Sequence, residues 1–352
     1  MNSRFRKIKK FLERENFDGF TKKDLFILNF MPNAWGQDIA ALSNIAEALR
    51  NLSTIDSAIV RRPPPREEIS RLLKRAVEFA IHPKVNPWKR SIAEVKNFNH
   101  YGYYLEHLNI VLGCYQAVVD DEYSKLNERV TMYLRDESLA QGNAHARLIP
   151  HVKMRWCADQ SAIIYSLWLF DQNNKTKYHV EPKKRWLEWM REHGTQSETG
   201  LFITEAMGVK GYSNQPRGCS HAYMCYYLEH FDYSVGKKQW ELFKQHMAVT
   251  RLGVPGFREY LPNYKGKWTP DSGPILFGMG VAATGLALKP MRVWGDENQW
   301  SAGRLLKLSR AFNELFKLLS FIPFLGRFFL LGSDMLATSI ILAAETTQQK
   351  YI

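Results

Sequence analysis

Residues 158–170 read ADQSAIIYSLWLF: a polar opening, Ala158-Asp159-Gln160, followed by a nearly continuous apolar run. A run this apolar suits a helix packed on both sides rather than one with a wet face. Openings of the same kind recur at intervals of roughly 55 to 65 residues. They are Trp35-Gly36-Gln37-Asp38, His100-Tyr101-Gly102-Tyr103, Asn214-Gln215-Pro216-Arg217-Gly218, Pro270-Asp271-Ser272-Gly273-Pro274 and Gly332-Ser333-Asp334. Each interval has the length of a helical hairpin, and six such units fill almost the whole chain. The pattern predicts an all-α protein, an (α/α)6 toroid of six helical hairpins around a central cavity, as a single domain over residues 1–352. In that architecture all six inner helices begin on one face, so their first residues converge on the cavity.

The period inside the units is helical. Leu108, Val111, Leu112 and Tyr115 recur at three and four, and strand-like alternation is nearly absent. Arg62-Pro63-Pro64-Pro65-Arg66 divides the first hairpin into two helices, because three prolines cannot continue one and push their neighbours extended. Residues 198–216 and 251–270 read as long irregular stretches rich in Gly, Asn, Tyr and Pro. Loops of that length inside a compact domain usually carry function, and each precedes an opening.

The chain is 45% hydrophobic, enough for a large core, and carries a net charge of +13. A basic surface attracts anionic lipid, nucleic acid or acidic polymers alike. No nucleic-acid motif accompanies it. Over about residues 1–16, Phe5, Ile8, Phe11 and Leu12 alternate with Arg4, Arg6, Lys7, Lys9 and Lys10, a basic amphipathic helix that is either a solvated first helix or a membrane-surface element. Residues 318–331, LLSFIPFLGRFFLL, are too short and too interrupted to span a bilayer and read as a hairpin turn or an interfacial loop. Cys114, Cys157, Cys219 and Cys225 show no CxxC spacing, and Cys219 and Cys225, six apart, fall on different helix faces. With no leader pattern either, the expectation is a cytoplasmic protein without a metal site, peripheral at most to the inner face of the membrane.

Asp159, Glu205, Glu259 and Asp271 gather near the openings and offer what acid/base chemistry needs, two carboxyls in unlike environments. Asp159 and Asp271 equally fit helix N-caps, and Glu259 equally fits an arginine pair. Arg217 and His221, four apart on one helix face, read as an anion ligand and a proton relay; His221 equally reads as a core histidine. Tyr103, Gln160, Tyr212, Asn214 and Tyr260 complete the expected lining. The chain holds no GxSxG elbow, Walker loop, HExxH or Rossmann glycine pattern.

Asp159-Gln160-Ser161 before an apolar helix, then Gly200-Leu201-Phe202-Ile203-Thr204-Glu205, then Asn214-Gln215-Pro216 before the next helix, together resemble the linalool dehydratase/isomerase family. The resemblance spans residues 101–228 and implies an (α/α)6 toroid that dehydrates or isomerises a terpene alcohol in its central cavity without a cofactor. Asp159, Gln160, Glu205, Asn214, Gln215 and Pro216 match the family's residue types. The family's histidine after Asp-Gln is replaced by Ser161, and its two loop cysteines by Thr204 and Ser213. The resemblance thus supports the fold and the pocket's location more than the chemistry. Three functions follow as expectations. The leading one is glycan or oligosaccharide cleavage, with Asp159 and Glu205 as the acid/base pair and Asp271 as a third acid. The others are a hydro-lyase or isomerase on an apolar alcohol, and a non-catalytic binding scaffold near a membrane.

Overall fold

The structure is a computed structural model that describes residues 3–17, 35–55, 63–208, 215–251, 253–264, 266, 269, 272, 275–294 and 335–348. The protein is mostly helical, as the period predicts. It divides into two compact units: Met1–Lys96 with Cys114–Glu122 and Met291–Ile352, and Asn97–Gly113 with Tyr123–Pro290.

The first unit is built from α1 (Ser3–Leu12), α2 (Trp35–Thr54), α3 (Arg66–Ile81) and α12 (Met335–Thr346). The helix α2 packs on both α3 and α12, and α1 lies against α3 and α12. The prolines act as expected: Pro65, extended at φ −57° and ψ 147°, stands immediately before α3. Phe5, Ile8, Phe11 and Leu12, the apolar face of α1, are fully buried. That face is therefore spent on the core. Arg75 donates to the carbonyls of Leu12 and Arg14 at 3.0 and 2.8 Å, closing the end of α1, and Arg4 pairs with Glu345 at 2.7 Å. Residues 318–331 lie outside the described residues. Among those described, no helix is long and apolar enough to cross a membrane.

The second unit holds α4 (Gly102–Val118, through Gly113), α5 (Ser124–Ala140), α6 (Cys157–Asn174), α7 (Val180–Glu192), α8 (Gly218–Phe231), α9 (Tyr233–Met247), α10 (Val281–Leu286) and the start of α11 (Leu288–Trp294). Apolar and amphipathic helices alternate. In α6, residues Ala162 to Leu167 are all buried, whereas α7 buries one face, Trp186, Leu187, Trp189 and Met190 among it. The apolar helices pack in sequence, α6 on α8 and α8 on α10. Behind α8, Phe243 stacks on Phe257 at 4.6 Å and Trp240 closes the cluster. Each such buried ring contributes roughly 1.5–3 kcal/mol.

The irregular stretches contain short strands that the sequence did not announce. Within residues 198–216, β2 (Glu205–Ala206) pairs antiparallel with β1 (Arg155–Trp156). The segment 251–270 starts inside a hairpin of β3 (Ala248–Arg251) and β4 (Val254–Phe257), and β5 (Ile275–Leu276) pairs with β6 (Met279–Gly280) just before α10.

Candidate functional site

Two helices of the second unit begin by the same device. The amides of Gly102 and Tyr103 donate to the carbonyls of Arg147 and Leu148 at 3.1 Å, and the Gly218 amide donates to the Glu259 carbonyl at 2.8 Å. These bonds satisfy orphan donors of α4 and α8 with a neighbouring loop. They require glycine, since a Cβ at Gly102 would collide with the Arg147 carbonyl and one at Gly218 with that of Arg258. At α6 the Cys157 amide donates to the Thr204 carbonyl at 2.9 Å, beside the β1–β2 pair. The starts of α4, α6 and α8 are thereby tied to loops that also carry site residues.

Asp159 does not cap its helix. Trp156 holds the cap position, and Asp159 is the third residue of α6, where the helix dipole favours a carboxylate. Its partner is Glu106, one turn into α4. Glu106 is completely buried. Burial foremost, then the neighbouring carboxyl of Asp159, push the Glu106 carboxyl well above the usual range. Among the described residues neither Glu106 oxygen has a hydrogen-bond partner. Burial and the neighbouring charge of Asp159 act in the same direction, so both favour the uncharged form of Glu106.

Around this dyad stand more ionisable groups from five elements. The imidazole of His107 lies with Nε2 3.7 Å from Glu106 Oε1 and its ring 4.9 Å from that of Tyr103. Burial, and secondly the charge of Lys289, lower His107 to about 3, so it is neutral at physiological pH. The phenol of Tyr223 is raised by burial and then by the charges of Glu106 and Asp159. Cys157 is raised by burial and then by Asp159 and Glu205, which brings Glu205 on β2 into the same cluster. Lys289 is buried, its ammonium 4.2 Å from the centroid of the Tyr226 ring and 5.7 Å from that of Tyr227. Tyr103, Asp159 and Glu205 are half-buried, while Glu106, His107, Lys289 and the Tyr223 hydroxyl are closed off. The cluster therefore has a wet side and a dry side, an arrangement that sets unlike environments next to each other.

Arg217 and Glu259 form a separate assembly. Arg217 Nε donates to Glu259 Oε1 at 2.9 Å, and Cys219 donates to the same carboxylate from its amide at 3.2 Å and its thiol at 3.0 Å. Arg217 also donates to Thr269 Oγ1 at 2.5 Å, and its guanidinium lies 5.7 Å from the Tyr260 ring. Glu259 is fully buried, which raises its carboxyl against the opposing charge of Arg217. This glutamate is the arginine-paired acid that the sequence left as one of two readings. It caps α8 from outside the helix, and Arg217 is its counter-ion.

The other expected residues sort plainly. His221 is buried against Phe243 at 5.5 Å and lowered to about 4 by burial, a neutral histidine of the core. The Gln160 amide is spent on the Ala146 amide at 2.9 Å and the Ser138 hydroxyl at 3.1 Å. Tyr212, Asn214 and Asp271 lie outside the described residues. Ser161 and Thr204 serve the backbone: Ser161 Oγ donates to the Ala158 carbonyl at 2.5 Å, and Thr204 Oγ1 accepts from the Arg217 amide at 2.9 Å. Among the described residues no group of three or more His, Cys, Asp or Glu is arranged to hold a metal ion.

The structure thus brings together Tyr103, Asp159 and Glu205 and adds Glu106, His107, Tyr223 and Lys289, which sequence reasoning passed over. A signal for the first two was present. Glu106-His107 interrupts an otherwise apolar helix in mid-run, where a charge has no solvated face to occupy. No protein-family model matches the sequence, and no curated protein is significantly similar to it.

Proposed function

We propose that this protein is an acid/base enzyme of the hydro-lyase or isomerase class, acting on a small, largely apolar alcohol. The observation that carries the reading is the Glu106–Asp159 dyad, a buried carboxyl raised far above its ordinary range beside a second carboxyl. The proton held by closed-off Glu106 reaches the departing hydroxyl through half-buried Asp159, whose carboxylate then removes a proton from the adjacent carbon. The C–O and C–H bonds break, a C=C bond forms and water leaves. Asp159 then returns that proton to Glu106. Tyr103 orients the hydroxyl from the wet side and the buried Tyr223 hydroxyl from the dry side, and neutral His107 adds no charge to compete for it.

Glycan cleavage fits this pair less well, because glycosidase carboxyls stand about 5–9.5 Å apart to admit the glycosidic bond. Asp159 with Glu205 is the couple that such a reaction would use, and both bear on Cys157. A pure binding scaffold predicts pocket acids neutralised by arginines, a description that fits Glu259 but not Glu106. We also infer that the hairpins close into an (α/α)6 toroid. In support, apolar helices begin at or soon after the periodic openings, and α12, the last of them, packs against α1 and α2. An experimental structure showing an open helical array would refute the ring.

The reaction is tested by incubating the purified chain with a panel of tertiary and allylic alcohols and of oligosaccharides, reading alkenes and reducing ends. The expected result is alkene formation that falls about 10²–10⁴-fold in both Glu106→Gln and Asp159→Asn. Glycan cleavage that depends on Glu205 but survives Glu106→Gln would overturn the proposal.

A further inference from the structure

The turn between β5 and β6 is built from Phe277 and Gly278, both at positive φ, 52° and 81°. Two-residue hairpin turns of this kind favour Asn-Gly, Asp-Gly or Gly-Gly, because a side chain beyond Cβ is strained in the left-handed region. A phenylalanine here is unfavourable twice over. It sits in a conformation suited to glycine or asparagine, and it is 74% exposed, the most exposed large apolar residue among the described residues. Leu276 beside it is 49% exposed and Val281, just after the hairpin, 41%. Neither folding nor packing accounts for an aromatic ring at this tip. Retained strain of this sort points to a task outside the fold.

The charge around the tip is one-sided. Exposed Arg251, from the β3–β4 hairpin, donates through Nε to the Phe277 carbonyl at 3.3 Å. The Arg258 guanidinium reaches the other turn residue, with Nη1 3.7 Å from where a Gly278 Cβ would stand. From Ala248 to Trp294 the acidic residues are Glu259 and Asp271, the latter outside the described residues, against six lysines and arginines. Glu259 is buried and paired with Arg217, so it presents no negative charge to solvent.

We propose that the β5–β6 hairpin is a docking element for an anionic lipid bilayer: Phe277 and Leu276 enter the headgroup and acyl boundary while Arg251 and Arg258 meet the lipid phosphates. An apolar tip collared by cations matches the two halves of that surface, apolar interior and negative face, as interfacial elements do. A protein partner for so small a tip would need a pocket, whereas a bilayer needs only the tip and its collar. The site is distinct from the basic helix α1, whose apolar face is buried, and the inference stands apart from the dyad chemistry.

The test is sedimentation of the full chain with vesicles of phosphatidylcholine alone and of phosphatidylcholine with phosphatidylglycerol, at low and at high salt. Retention is expected on the anionic vesicles only, weakening as salt screens the arginines. Phe277→Asn suits the left-handed backbone, so it should melt at or above the wild-type temperature while partitioning falls about tenfold. Phe277→Gly serves as the second variant for the same turn, and Arg251→Glu should lower retention further at low salt. Absence of wild-type retention on anionic vesicles overturns the proposal and leaves the tip to a protein partner. Retention undiminished in both Phe277 variants overturns it as well, because the basic surface at large would then be what binds.

Discussion

Replacing Gly218 by alanine tests how the site is held. The added methyl falls inside contact distance of the Arg258 carbonyl oxygen and 2.8 Å from the Cβ of Ala283. Neither neighbour is the end of a flexible side chain, so α8 must withdraw from the loop that carries Glu259. Withdrawal stretches the Gly218 amide bond to the Glu259 carbonyl, 2.8 Å, and the Cys219 amide bond to its carboxylate, 3.2 Å. Overpacking of this kind costs roughly 1–3 kcal/mol, and a weakened hydrogen bond roughly 0.5–1.5 more, so Gly218→Ala should lose about 1.5–4.5 kcal/mol. Gly285 supplies the control. It lies in α10 with nothing within 4 Å of its Cβ position, and alanine there should gain about 0.5–1 kcal/mol from helix propensity. Urea unfolding followed by circular dichroism, compared at equal slope, separates the two. If Gly218→Ala unfolds within about 0.5 kcal/mol of wild type, the tie between α8 and the Glu259 loop is not as described.

Two other outcomes follow from the titrating groups. Glu106 in the folded state keeps its proton above pH 4.5, where an unfolded glutamate releases it. Folding stability therefore falls as pH rises from 4.5 toward the folded-state value, at about 1.4 kcal/mol per pH unit for one proton. Glu106→Gln cannot titrate, so its melting temperature relative to wild type should climb through that window, and parallel curves would contradict the shift. Asp171 behaves oppositely. Burial raises it, but hydrogen bonds from His179, Thr176 and the Tyr178 amide outweigh burial and hold the carboxyl below its ordinary 3.8. Its stabilisation is present above that value and lost as pH falls through the folded-state value. Asp171→Asn should cost about 1–3 kcal/mol at neutral pH and flatten the acid limb of the stability curve, as urea melts across pH would show.

Helix openings were legible in the sequence because they are local. Gly102, Gly218 and Pro65 each stand within one residue of a helix start, and the apolar runs that follow say which helices are enclosed. The strands were not legible for the opposite reason. β1 and β2 are two-residue pieces paired across about fifty residues, with no alternation long enough to register. The acids divide in the same way. Asp159 was visible at an opening, whereas the pairing of Glu259 with Arg217 spans 42 positions and nothing local announces it. Glu106 and His107 interrupt an apolar run, but only burial on every side shows that they have no water to face.

The protonation of buried Glu106 beside Asp159 is tested most directly by infrared spectroscopy of the carboxyl carbonyl stretch at neutral pH. The account predicts a protonated-carboxyl band in the wild-type chain that disappears in Glu106→Gln. A wild-type spectrum showing only ionised carboxylates at neutral pH would contradict it.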